Sequence, residues 1–309
     1  MQVGEALQTA IERTRTMLFE PFVFERWLLF GVVAFLDVFL AGGGLTHSGA
    51  NFSGHSGGGS QFPPNTDRVV EWLSQHAVQI ILIAIPLFLI ALAIHIALLY
   101  VGCRGQVMFV RAVSMNGGQL GDHWSAVKGP AYSLFLFRIV LLGVWLGFVL
   151  IIGAFLLIAI GVLSGTQSGG ALLLILIPFG VIFLLAVFGL GLVQLMLRSF
   201  VVPIMWARDL PCMEAWRVFA RIAAGNALPL IGFVALKVAY SIGFGIATMF
   251  VGCLTCCVGL LPVVHHTLFA PYYVFDRAFS LELLAMTGED DGILFTSPAK
   301  DEEPPQLHG

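Results

Sequence analysis

Six apolar runs dominate this chain, at 27–45, 77–101, 131–163, 171–202, 228–251 and 260–279. A bilayer core of about 30 Å needs roughly 20 apolar helical residues to cross it. Runs of this length predict an all-α polytopic transmembrane bundle of six spans. Composition excludes the soluble alternative: 58% of residues are hydrophobic and 11% charged, against roughly 25% charged in soluble domains. The net charge of -3 and the lack of a basic stripe argue against a nucleic-acid partner. The first run follows a segment carrying Glu5, Glu12, Arg13, Arg15, Glu20, Glu25 and Arg26 and itself contains Asp37, so it reads as a retained span and not a cleaved signal.

Basic residues assign the sides. Six spans from a cytosolic start place Arg13, Arg15, Arg26, Arg104, Arg111, Lys128, Arg198, Arg208, Arg217, Arg221, Arg277 and Lys300 inside. Only Arg68 falls outside, while Arg138 and Lys237 lie within runs. The bias predicts a cytoplasmic (inner) membrane protein with both termini in the cytosol. The integral membrane domain covers 1–286. Its outer segment 42–67 reads as a flexible Gly/Ser-rich loop, and Asn51 there matches a glycosylation acceptor. The remaining 287–309, with six acidic residues against Lys300 alone, reads as a disordered cytosolic tail.

Two cytosolic stretches carry helical periodicity. Val3, Ala6, Leu7, Ala10, Thr14, Met17 and Leu18 form one apolar face; Trp216, Phe219, Ala220 and Ala223 form another, opposite Arg217 and Arg221. Such amphipathic helices suit the headgroup level, a protein partner, or packing on their own bundle. The chain also resembles itself. Residues 81–86 (ILIAIP) match 173–178 (LLILIP) at an offset of 92, where Asp122 and Trp124 meet Glu214 and Trp216. After an insertion of seven, Pro130 and Arg138 match Pro229 and Lys237. Both copies would run the same way through the membrane, a parallel internal repeat. A third copy would join the N-terminal helix, Pro21 and the first span to Pro262 in the last.

Ionisable groups inside spans are costly and point to function. Asp37 and Lys237 sit at similar depths and could pair; alternatively Lys237 and Arg138 snorkel to the headgroups. With His95 and Gln194 these residues could line an inward-facing polar cavity, or act as interhelical hydrogen-bonding glue. Gly143 and Gly147 form a GxxxG pattern that would admit a neighbouring helix. Cys253, Cys256 and Cys257 with His265 and His266 could bind Zn²⁺ or copper, form a disulfide, or simply pack. Cys103 and Cys212 read as reduced. No phosphate-binding loop, His-Glu-x-x-His or G-x-S-x-G elbow occurs, and no catalytic residue or cofactor is expected.

The segment LFEPFVFERW at 18–27, the Gly42 to Phe52 loop, and RSFVVPIMW at 198–206 with Ala215 and Trp216 resemble an uncharacterised family of prokaryotic multi-pass membrane proteins. More distantly the chain is similar to the membrane domain attached to some glycerophosphodiester phosphodiesterases. The resemblance implies a prokaryotic cytoplasmic membrane and no catalytic residues. The leading expectation is a membrane scaffold or accessory protein whose cytosolic helices contact lipid or partner proteins. The rivals are a small-solute or lipid transporter and a metal-dependent membrane enzyme.

Overall fold

A computed structural model describes residues 3–40, 66–115, 127–163, 169–255, 259 and 261–286. The Gly/Ser-rich segment, the acidic tail, Asp122 to Trp124, Cys256 and Cys257 lie outside the described residues. Every regular element described is helical: α1 (Val3–Phe19), α2 (Phe24–Phe35), α3 (Thr66–Ser114), α4 (Lys128–Leu163), α5 (Gly169–Met196), α6 (Val202–Arg208), α7 (Cys212–Gly225), α8 (Ala227–Leu254), α9 (Pro262–Leu268) and α10 (Ala270–Ala285). Two π-turns interrupt them, Leu36–Leu40 after α2 and Leu197–Val201 between α5 and α6. Pro203 follows the second π-turn, and its ring would crowd the carbonyl four residues back in a regular helix. The widened turn ahead of it relieves that crowding.

Among the described residues four helices are long and apolar enough to cross a membrane: Leu82–Ser114, Lys128–Leu157, Ile177–Arg208 and Ala227–Leu254. Each divides into two unlike parts. The stretches 82–101, 139–157, 177–197 and 238–254 are apolar, and most of their side chains are exposed or half-buried, Leu87, Val144, Leu184 and Ile246 among the exposed, while Tyr240 and Phe244 pack on α10. At 17 to 21 residues, they match the thickness of a bilayer core. The other parts pack into a close core containing Val107, Phe109, Val113, Leu134, Val201, Met205 and Phe233.

The first and sixth apolar runs behave differently. Phe30, Val33, Ala34 and Val38 are buried inside the protein, and the last run breaks at Phe269 into α9 and the mostly buried α10. Trp27 Nε1 donates to the Thr267 carbonyl at 2.6 Å, and ten residues further along each strand of chain Asp37 meets Arg277. Those two contacts set α2 and the α9–α10 pair running in the same direction. Six alternating crossings would set the first and last antiparallel; among the described residues four helices are of lipid-crossing length.

Glycine fixes two of the closest approaches. A Cβ on Gly31 would lie 2.6 Å from the Thr267 Cα, and one on Gly105 would collide with Leu36 and come within 3.2 Å of the Asp37 amide. The second of these lets α3 lie directly against the π-turn that carries Asp37. By contrast, no atom lies within 4 Å of a Cβ placed on Gly143 or Gly147, so the GxxxG pattern brings no described helix close.

The cytosolic amphipathic expectation for α1 meets a packed surface. Ala6, Ala10, Thr14, Met17 and Leu18 are buried, and α1 lies along α10. In α7 the buried face is Cys212, Ala215, Val218, Phe219 and Ile222; Ala220, expected on that face, is exposed. The left-handed Asp209 stops α6 and Pro211 starts α7, which turns that face back onto the core.

Candidate functional site: a buried belt of charge

The two parts of each long helix meet at a belt of buried polar residues. Asp37, held in the π-turn after α2, is 1% exposed. Its Oδ2 accepts from Arg277 Nη2 at 2.9 Å and from Arg198 Nε at 3.2 Å, with Arg198 Nη2 at 3.0 Å. One carboxylate oxygen therefore joins α2, the π-turn before α6, and α10. Arg277 Nη1 also donates to the Arg198 carbonyl. Adjacent in sequence, Asp276 takes the next cations: Lys237 Nζ lies 2.7 Å from Oδ1 and Arg198 Nη2 lies 3.7 Å from Oδ2. The Tyr240 hydroxyl donates to the same Oδ1, and Lys237 donates to Ser199 Oγ at 3.2 Å.

The result is a continuous chain, Arg277–Asp37–Arg198–Asp276–Lys237, in which every charge is buried and every charge has an opposite neighbour. Pairing is what makes such burial tolerable. Removing one partner of a buried pair leaves an uncompensated ion and costs about 3–5 kcal/mol. The belt thus specifies which helices meet and in what register.

A second group lies on α3 and α4. Arg138 Nη2 donates to Gln106 Oε1 at 2.8 Å, with Arg138 4% exposed and Gln106 fully buried. Arg138 Nε and Nη1 and Gln106 Nε2 are buried without a hydrogen-bond partner. Cys103 and Cys212 stand beside the guanidinium. Burial pushes the Cys212 thiol up to about 12, despite the pull of Arg138, so it stays protonated and supplies no negative charge.

A third contact ties the ends of the chain together. Arg13 meets Glu282 at 3.2 Å and donates to the carbonyls of Val113 and Ser114 at the end of α3. Those carbonyls have no partner within their own helix, so Arg13 caps it. Burial pulls the Arg13 guanidinium down and pushes the Glu282 carboxyl up, each partly offset by the other.

Of the residues singled out from sequence, Asp37, Arg138 and Lys237 belong to the buried belt. His95 is exposed among lipid-length apolar neighbours and Gln194 is half-buried, and neither is joined to the belt by a hydrogen bond among the described contacts. The direct Asp37–Lys237 pair does not form; Arg198 and Asp276 stand between them. Nor do Arg138 and Lys237 snorkel, for both are 4% exposed. Cys253 is exposed and free, His265 packs on Phe244 and Phe269, and His266 stacks on Tyr273 at 4.9 Å. Among the described residues no three His, Cys, Asp or Glu side chains gather as metal ligands.

Arg198, Ser199, Tyr240, Asp276, Arg277 and Gln106 escaped the sequence reading. In sequence Arg198 and Arg277 stand at the inner ends of runs as cytosolic cations, Arg198 also within the segment that carries the family resemblance, and Asp276 has no assigned role. The available signal was the adjacent Asp276-Arg277 pair closing an apolar run, because opposite charges at such a place satisfy each other or a neighbouring helix.

No curated protein and no solved structure matches the chain. A family model described as a family of unknown function (DUF7544) matches residues 1–289. The match spans the four lipid-length helices, the belt and both ends of the packed core, and the chain therefore belongs to that family of unknown function.

Proposed function

We propose that the protein is a membrane-embedded scaffold or accessory protein of the cytoplasmic membrane, without enzymatic activity. Its four lipid-length helices anchor it, and its packed half, with both termini, faces the cytosol. The observation that carries this reading is the belt itself. Its charges are spent on one another, Asp37 on Arg198 and Arg277, Asp276 on Lys237, so they hold helices in place and do not line a passage. The cation bias supports the orientation, since Arg13, Arg111, Lys128, Arg208, Arg217 and Arg221 all lie in the packed half. Partner contact falls to the exposed side of α7, with Arg217 and Arg221, and to the acidic tail.

The belt also supports the internal repeat. Gln106–Arg138 and Ser199–Lys237 are the same kind of contact, a neutral side chain holding a cation on the next long helix. Their offsets are 93 and 99 residues, where the sequence repeat gives 92 and 99. The π-turn Leu197–Val201 accounts for the extra residue, because such turns accommodate a one-residue insertion in a helix.

A transporter is the second reading, favoured by Asp37 Oδ1, which is buried without a hydrogen-bond partner beside two π-turns. Proteoliposome uptake of protons and small solutes, compared between the wild type and Asp37→Asn, separates the two. The scaffold reading expects no flux in either form and crosslinks from position 217 to a defined protein in native membranes. Flux that is lost in Asp37→Asn overturns it.

A further inference from the structure

Within the repeat, the two cations have unequal partners. Lys237 has a hydroxyl from Ser199 and a carboxylate from Asp276. Arg138, its counterpart, has the Gln106 amide oxygen but, among the described residues, no carboxylate. Arg138 Nε and Nη1 and Gln106 Nε2 are nitrogen donors buried without a hydrogen-bond partner, and beside the guanidinium stand the thiols of Cys103 and Cys212. A guanidinium held in protein without a counter-ion is costly, whereas charge-assisted bonds to an oxyanion are among the strongest available to it. The place matters too. On α3 the exposed apolar residues Ile94 and Leu98 lie before Gln106 and buried residues surround it, while on α4 Tyr132 and Leu136 are exposed before Arg138 and Val140 and Val144 after it. The Arg138–Gln106 pair therefore sits where the lipid-length part of α3 ends, close to the depth of phospholipid phosphates.

We propose that Arg138 and Gln106 form an anion site that takes one phosphate group, supplied by a phospholipid headgroup or by free inorganic phosphate, in the role that Asp276 plays for Lys237. The site rests on the repeat reading and is independent of whether the protein transports anything. Gln106 provides the directional N–H and Arg138 the charge, while the protonated thiol of Cys212 leaves the guanidinium uncompensated from its own side.

The test uses the full chain purified in a phosphate-free maltoside detergent. Thermal unfolding is followed after adding phosphatidylglycerol, phosphatidylcholine or inorganic phosphate, and native mass spectrometry counts retained phospholipid. The wild type is expected to gain stability and to bind its ligand about tenfold or more tightly than Arg138→Gln. A gain with either lipid identifies a headgroup, and a gain with inorganic phosphate alone identifies the free ion. Gln106→Glu places a carboxylate beside Arg138 within the chain, so it should be as stable without ligand as the wild type is with it, and should no longer respond. If wild type, Arg138→Gln and Gln106→Glu respond equally to all three additions, the site does not exist. No response in any of them has the same meaning.

Discussion

The packed and lipid-length halves of this molecule are built from the same helices, yet they are held together by opposite rules. In the packed half, helices meet through buried charges and two glycines with no room for a Cβ. In the other half they touch through a few aromatic pairs, such as Phe155 on Phe179 at 4.3 Å and Trp145 on Phe183 at 5.7 Å, and most apolar side chains face outward. Lipid is as apolar as leucine, so hydrophobic burial supplies no drive for helices to associate there. Specific polar contacts have to do it. The difference explains why the belt lies at the junction: it is the last level at which the helices must be held in register before lipid takes over.

Helix direction in the packed half gives the largest expected effect. A short bismaleimide should crosslink Trp27→Cys with Thr267→Cys nearly completely, since that pair is in contact. Were α2 antiparallel to α9–α10 about the Asp37–Arg277 contact, the two positions would be about 30 Å apart and no crosslink would form. Next comes Asp37→Ala, which strands Arg277, leaves Arg198 only Asp276 at 3.7 Å, and should cost about 3–5 kcal/mol of unfolding free energy in bicelles. Gly105→Ala should cost about 1–3 kcal/mol, because its methyl group would be driven into Leu36. The smallest effect belongs to the lipid-length half. Gly147→Ala meets open space and should change stability by no more than about 0.5 kcal/mol. A loss there as large as at Gly105 would remove the contrast between the halves.

Sequence periodicity and composition made the helical class and the four long apolar runs legible, because a bilayer's thickness writes its length directly into a helix. They did not show that the other two runs pack against protein. Phe30, Val33 and Ala34 are as apolar as any lipid-facing residue, and apolarity alone does not distinguish a helix buried in protein from one buried in lipid. Half the belt was legible for a similar reason. Asp37, Arg138 and Lys237 stood out by interrupting runs, while Arg198, Asp276 and Arg277 lay at run ends, where charge is ordinary. Partner choice was hidden altogether, since Asp37 meets Arg277 across 240 residues of chain. The spacing of Pro86 to Gln106 and of Pro178 to Arg198 repeats in sequence, but the one-residue shift from Gln106 to Ser199 becomes intelligible only with the π-turn in view.

Double-mutant cycles on unfolding free energy in bicelles test the belt most directly, with Asp37→Asn combined in turn with Arg277→Gln and with Lys237→Gln. Direct contact across the first pair predicts a coupling of about 1–3 kcal/mol, and the interposed Arg198 and Asp276 predict a clearly smaller one for the second. Coupling that is absent between Asp37 and Arg277, or larger between Asp37 and Lys237, would contradict the charge-locked belt.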